Sequence, residues 1–91
     1  AMAVGGLRVI GLPAEVFTAY GLKLREICAA LFPVGYANGN TGYWPPREAF
    51  RDQGDYGCYS APKFYDALFP FTEDLEGIIL DACGRVLANI A

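Results

Sequence analysis

The sequence predicts an α/β fold: a βαβ unit, then a long loop and a C-terminal helix. Three observations carry this. A short apolar run, Leu7–Leu12, lies between Gly5-Gly6 and Pro13. An apolar pattern of helical period follows it, and a second short apolar segment follows that, so strand, helix and strand fit into about 30 residues. Another helical stripe closes the sequence.

Leu7–Leu12 (LRVIGL) is nearly continuous in apolar character, as a strand buried in a parallel sheet would be. Pro13 suits the entry to a helix, and Glu15 then falls in the first turn, where a carboxylate favours the helix dipole. The helix spans about Ala14 to Leu31. Val16, Tyr20, Leu24, Ile27, Cys28 and Leu31 form its stripe, with Lys23, Arg25 and Glu26 off it. Gly21 costs up to about 1 kcal/mol against Ala there, which marks a close approach. Pro33 closes the helix. Val34–Ala37 is the second strand, with a right-handed crossover expected. It runs into Asn38-Gly39-Asn40-Thr41-Gly42, a dense turn signal.

Tyr43-Trp44-Pro45-Pro46 leaves that turn extended, and Arg47–Asp52 forms a short helix. Gln53–Ser60 is a Gly/Tyr loop, and Pro62–Phe69 a helical turn cut off by Pro70. Thr72 is the expected N-cap of the last helix, and Glu73, Asp74 and Glu76 load its start with negative charge. Leu75, Ile79, Ala82, Cys83, Val86, Leu87 and Ile90 make its stripe. Ile78 and Leu80 fall outside, so this helix is expected to be covered on two sides.

The 91 residues are 54% hydrophobic and 19% charged. Ordinary soluble domains are about 45–50% apolar and about 25% charged, and a chain of this length hides only roughly 60–65% of its unfolded surface. The apolar surplus therefore calls for burial against something else, either the rest of a larger domain or copies of the chain. A net charge of −3 with no basic cluster argues against nucleic acid as a partner. No stretch approaches the roughly 20 apolar residues of a membrane span, and no secretory leader is visible. Cys28 and Cys83 lie on apolar helical stripes, as buried thiols do. Cys58 lies in the Gly/Tyr loop, where exposure is open.

The absence of histidine restricts the chemistry most. It removes Ser-His-Asp and Cys-His arrangements and the usual histidine-based zinc site from what these 91 residues can build alone. Two loops remain, one carrying Glu15 and one the NGNTGYW segment. Each follows a strand, and ligand sites of parallel sheets form at the carboxyl ends of strands. By pattern alone Glu15 reads as a helix-start acid, and Tyr43 and Trp44 read as packing residues.

Four segments in order then carry a resemblance. They are GLPAEVF (Gly11–Phe17) with GLKLR (Gly21–Arg25), VGYANGNTGY (Val34–Tyr43), PPREAF (Pro45–Phe50), and APKFY (Ala61–Tyr65) with Phe69–Phe71. Together they resemble the neutral/alkaline non-lysosomal ceramidase family over nearly the whole chain. The resemblance implies that residues 1–91 are a single segment, the C-terminal part of a larger α/β catalytic domain. In that family the Glu of a P-G-E-like turn and the Tyr ending the G-Y-A-N-x-x-x-G-Y stretch are zinc ligands, which match Glu15 and Tyr43. The remaining ligands are histidines from upstream sequence. A tyrosine after the R-E-x-[YF] helix assists the oxyanion, and Tyr56 is its match. Ala14 stands where the family has Gly, and Gly57 stands where it has Glu. The implied activity is hydrolysis of the amide of N-acyl sphingoid lipids, in an exported or membrane-adjacent setting. Two other readings are a non-catalytic, structural or self-assembling module derived from this fold, and a lipid-binding remnant without turnover.

Overall fold

The computed structural model describes residues 1–51, 55–65 and 70–90. It is a small mixed α/β chain. A three-stranded sheet has the order β1-β2-β4, from β1 (Met2–Val4), β2 (Leu7–Gly11) and β4 (Leu31–Val34). A two-stranded sheet pairs β3 (Glu15–Val16) with β5 (Tyr43–Trp44). The helices are α1 (Thr18–Ile27) and α2 (Leu75–Ala88).

The βαβ unit is present. β2 and β4 pair in parallel, Arg8 with Leu31 through Gly11 with Val34, and α1 connects them. β1 was not expected; it pairs antiparallel with β2 across the two-residue turn Gly5-Gly6, where Gly5 takes a φ of 58°. Met2, Val4 and Leu7 are all exposed, so β1 carries no buried face for a sequence pattern to reveal.

The βαβ boundaries differ from expectation at both ends of α1. The helix starts at Thr18, not Ala14, because the chain before it is held extended by the 35–42 loop. Tyr36 N–H donates to Ala14 O at 3.0 Å, Glu15 N–H to Gly42 O at 2.8 Å, and Thr41 N–H to Pro13 O at 2.8 Å. Glu15 is thus a strand residue and not a helix-start acid. The helix ends at Ile27, and the second strand begins at Leu31, three residues earlier than the Val34–Ala37 reading. Pro33 lies inside this strand. β4 is an edge strand, where a missing N–H costs no ladder bond.

The core gathers Ile10, Leu12, Tyr20, Leu24, Leu31, Ile79, Cys83 and Leu87. It lies where α1 and α2 meet β2 and β4. Tyr20 and Leu24 are fully buried, and the Tyr20 hydroxyl donates to Pro45 O at 2.8 Å. Lys23, off the apolar stripe of α1, bridges Glu48 Oε2 at 3.2 Å and Glu76 Oε1. Glu76 also accepts from Arg47 N–H at 3.1 Å. One ammonium thereby ties α1 to α2 and to the 3-10 turn Arg47–Arg51.

α2 follows its expected stripe only in part. Ile79, Cys83 and Leu87 are buried, while Val86 is exposed; Ile78, outside the stripe and expected to be covered, is exposed as well. Its cap differs as well. Asp74 stands at the N-cap without a side-chain bond, and Thr72 contributes its carbonyl, which accepts from Leu75 N–H at 3.1 Å. The short helix expected over Arg47–Asp52 is the 3-10 turn, with Asp52 outside the described residues. The Gln53–Ser60 loop has a π-helical turn, Tyr56–Ser60, and the Pro62–Phe69 segment a 3-10 turn, Ala61–Tyr65. Residues 53–54 and 66–69 of those two segments lie outside the described residues. Cys58 is buried, with 1% exposure, in a loop whose composition left it open. No helix among the described residues is long and apolar enough to cross a membrane.

Candidate functional site

β3 and β5 pair in parallel with Glu15 opposite Tyr43 and Val16 opposite Trp44. Successive side chains of a strand point to opposite faces. Val16 and Trp44 pack against the core, and Glu15 and Tyr43 share the other face. Two residues 28 apart in sequence are thus neighbours by register.

The backbone that delivers Tyr43 is unusual. Tyr36 and Asn38 take positive φ values of 54° and 64° without being glycine. Strain of this kind persists where its surroundings over-determine it, here through the hydrogen bonds that clamp the loop onto residues 12–15. Gly42 has a φ of 102°, and a Cβ there would lie 3.3 Å from the Tyr65 ring. Glycine meets both demands. Ala14 is not among the positive-φ residues, so a side chain in place of glycine costs no strain there, and it is fully buried.

Hydroxyl groups surround the Glu15 carboxylate. The Tyr65 hydroxyl donates to Oε1 at 2.6 Å, and Tyr43 also hydrogen-bonds to it. These bonds, the Tyr43 bond first, hold the carboxyl below its ordinary value, with weaker help from Asn40 and Tyr36. The same bond pushes the Tyr43 phenol up to about 12, and Tyr65 is raised for the same reason. The carboxylate is therefore ionised at neutral pH, and both phenols are protonated. Among the described residues no ion pair to Glu15 accompanies these bonds.

Tyr56 completes the cluster. Its ring meets Tyr43 edge-to-face, with centroids 5.6 Å apart and planes at 86°, and Phe17 meets Tyr43 similarly at 6.2 Å. The π-helical turn carrying Tyr56 is capped by Asp55, whose Oδ1 accepts from Cys58 N–H at 3.2 Å. A Cβ at Gly57 would fall 2.7 Å from Phe17 Cζ. Phe17 thus occupies the room that a glutamate at position 57 would need.

The structure brings together all three residues singled out in the sequence, Glu15, Tyr43 and Tyr56. A cleft of about 450 Å³ opens beside Glu15 and Tyr43, walled by Leu12, Phe17, Leu22 and Pro33, with Arg25 also on its lining. Tyr65, Tyr36 and Asn40 were missed as site residues. The only signals for them were their places in the APKFY and GYANGN segments. Among the described residues no three His, Cys, Asp or Glu side chains converge. A catalytic zinc takes about three protein ligands and keeps one position open, so Glu15 and Tyr43 fit as a partial, oxygen-only donor set.

The fold and site define a mixed α/β chain with a carboxylate–phenol pair on the adjoining strands β3 and β5. No family model, curated protein or solved structure matches this chain.

Glu15, Glu48 and Glu76 all have lowered carboxyl values. The leading causes are Tyr43 for Glu15, a hydrogen bond from its own backbone for Glu48, and Lys23 for Glu76. Groups of this kind contribute stability that is present above the ordinary value of 4.5 and lost as the pH falls through the lowered folded values. Thermal melts followed by circular dichroism should therefore give a melting temperature that is flat near neutrality and falls below pH 4.5. A melting temperature that rises on acidification would contradict this assignment.

Proposed function

We propose that this chain supplies part of a zinc amidohydrolase site of the neutral-ceramidase type, acting on the amide bond of N-acyl sphingoid lipids. The observation that carries the reading is the β3–β5 register. It sets side by side the two residues, Glu15 and Tyr43, that the resemblance names as metal ligands. Tyr56, named from a third segment, meets one of them edge-to-face. The histidines of such a site come from another segment, the remainder of a larger α/β catalytic domain.

In this reading Glu15 is the anionic ligand, kept ionised by the hydroxyls around it. Tyr43 would be the second oxygen donor. Zinc, when bound, polarises the amide carbonyl and brings a bound water toward neutral pKa. Tyr56, whose ring meets Tyr43, would supply the hydroxyl donor for the developing oxyanion. The apolar wall of the cleft suits the hydrocarbon part of the substrate.

A second reading, a non-catalytic module that assembles with itself, draws on the apolar surface. Met2, Phe32 and Ile78 are 58, 55 and 65% exposed, on three different elements. Native mass spectrometry with zinc analysis and an amidase assay on protein from its own source separates the two. A zinc-bearing complex with a histidine-containing polypeptide that cleaves an N-acyl sphingoid substrate is expected. A metal-free homo-oligomer would favour the assembly reading and overturn the hydrolase one.

A further inference from the structure

We infer that Tyr65 is a positioning residue that fixes the orientation of the Glu15 carboxylate toward a bound cation. The inference rests on the reading of Glu15 and Tyr43 as a metal-binding pair, and it adds a residue from a different segment, 50 positions away.

The contact itself is short. At 2.6 Å the bond from Tyr65 to Glu15 Oε1 lies in the range of charge-assisted O–H···O⁻ bonds, about 2.5–2.7 Å. The donor is held from behind. Asn40 Nδ2 donates to the Tyr65 hydroxyl oxygen at 3.4 Å, and Asn40 Oδ1 accepts from Gly42 N–H at 3.0 Å. The hydroxyl thus accepts from the loop and commits its proton to the carboxylate. The ring is seated as well, against the bare Cα face of Gly42. Rotation of the carboxylate would break the Tyr65 bond, so Oε1 stays engaged and the carboxylate keeps one orientation.

Tyr43 cannot serve this purpose. With its oxygen given to a cation, Tyr43 would not also hold Glu15 from behind. Tyr65 keeps its proton and its bond. Groups that orient metal ligands in this way are typically worth about 10–100-fold in metal affinity.

The test uses the assembled, histidine-containing protein with zinc alone as the probe, and affinity is read by competition against a chromogenic chelator. Tyr65→Phe should weaken zinc binding about tenfold or more, with the near-ultraviolet circular dichroism of the folded chain retained. At saturating cobalt(II) its visible absorption bands should also shift, because the ligand geometry has changed; a role in packing alone would leave those bands in place. Tyr59→Phe is the control, since that hydroxyl donates to Phe50 O at 2.6 Å, and its affinity should match the parent. If Tyr65→Phe binds zinc like the parent while Glu15→Gln does not, the positioning inference is overturned and the metal reading stands. If Glu15→Gln also binds like the parent, the metal reading fails and takes this inference with it.

Discussion

Glu15→Gln should lower zinc affinity by at least about 100-fold, because loss of a ligand costs no less than the upper end of what loss of a ligand's supporting group costs. Amide hydrolysis by the assembled protein should fall with it. The substitution keeps the size of the side chain and removes its charge. Its Oε1 can still accept from Tyr65, so the tyrosine cluster has no reason to disperse. Glu15 is a strand residue whose place is set by backbone bonds, from its own N–H to Gly42 and from Thr41 to Pro13. The fold should therefore survive at neutral pH, with a melting temperature below the parent's only by the contribution of the ionised carboxylate. That combination, an intact fold with lost metal, separates a ligand from a structural acid. Zinc titration beside a thermal melt reads both. Unchanged zinc binding in a folded Glu15→Gln protein would remove the basis of the proposed function.

The largest expected loss of stability is at Leu24→Ala. Leu24 is fully buried on α1, among Tyr20, Leu31 and the α2 residues Ile79 and Cys83. Truncating a buried leucine costs about 2–5 kcal/mol, more where neighbours cannot close the cavity. Collapse is hindered here by the Tyr20–Pro45 bond and by the Lys23 bridge to Glu48 and Glu76, which fix the surrounding elements in place. Whole domains are stable by only about 5–15 kcal/mol, and at this size about 1 kcal/mol moves the melting temperature by about 4–8 °C. The variant should melt roughly 8–40 °C below the parent, or be unfolded at room temperature. A shift of only a few degrees would mean that α1 is loosely seated on the sheet.

The sequence made the βαβ unit legible because its signal is local. Leu7–Leu12 and the stripe from Val16 to Leu31 are both bounded by turn residues. The start of α1 was not legible, because residues 14–16 have a helix-compatible pattern that contacts with the 35–42 loop override. Pro33 misled for the complementary reason. It looked like a stop, and it lies on an edge strand that tolerates it. β1 has no buried face to give it a period. At the site, Glu15, Tyr43 and Tyr56 were reached through their segments, not through chemistry visible in any one of them. Tyr65 was missed because its relation to Glu15 is wholly three-dimensional. The burial of Cys58 stayed open because a loop of glycine and tyrosine gives no sign of which residue turns inward.

The β3–β5 ladder is two residues long on each side, while the neighbouring β2–β4 ladder has four paired positions and the core beneath it. Hydrogen exchange follows local opening, and short ladders open at a fraction of the global free energy. Glu15 and Tyr43 are therefore attached to one of the less protected parts of the chain. Excursions that separate them need not disturb the βαβ unit. A cation bridging the two side chains would act as a staple across this ladder, so that the protection of the Glu15 amide would report occupancy of the site more directly than global unfolding does.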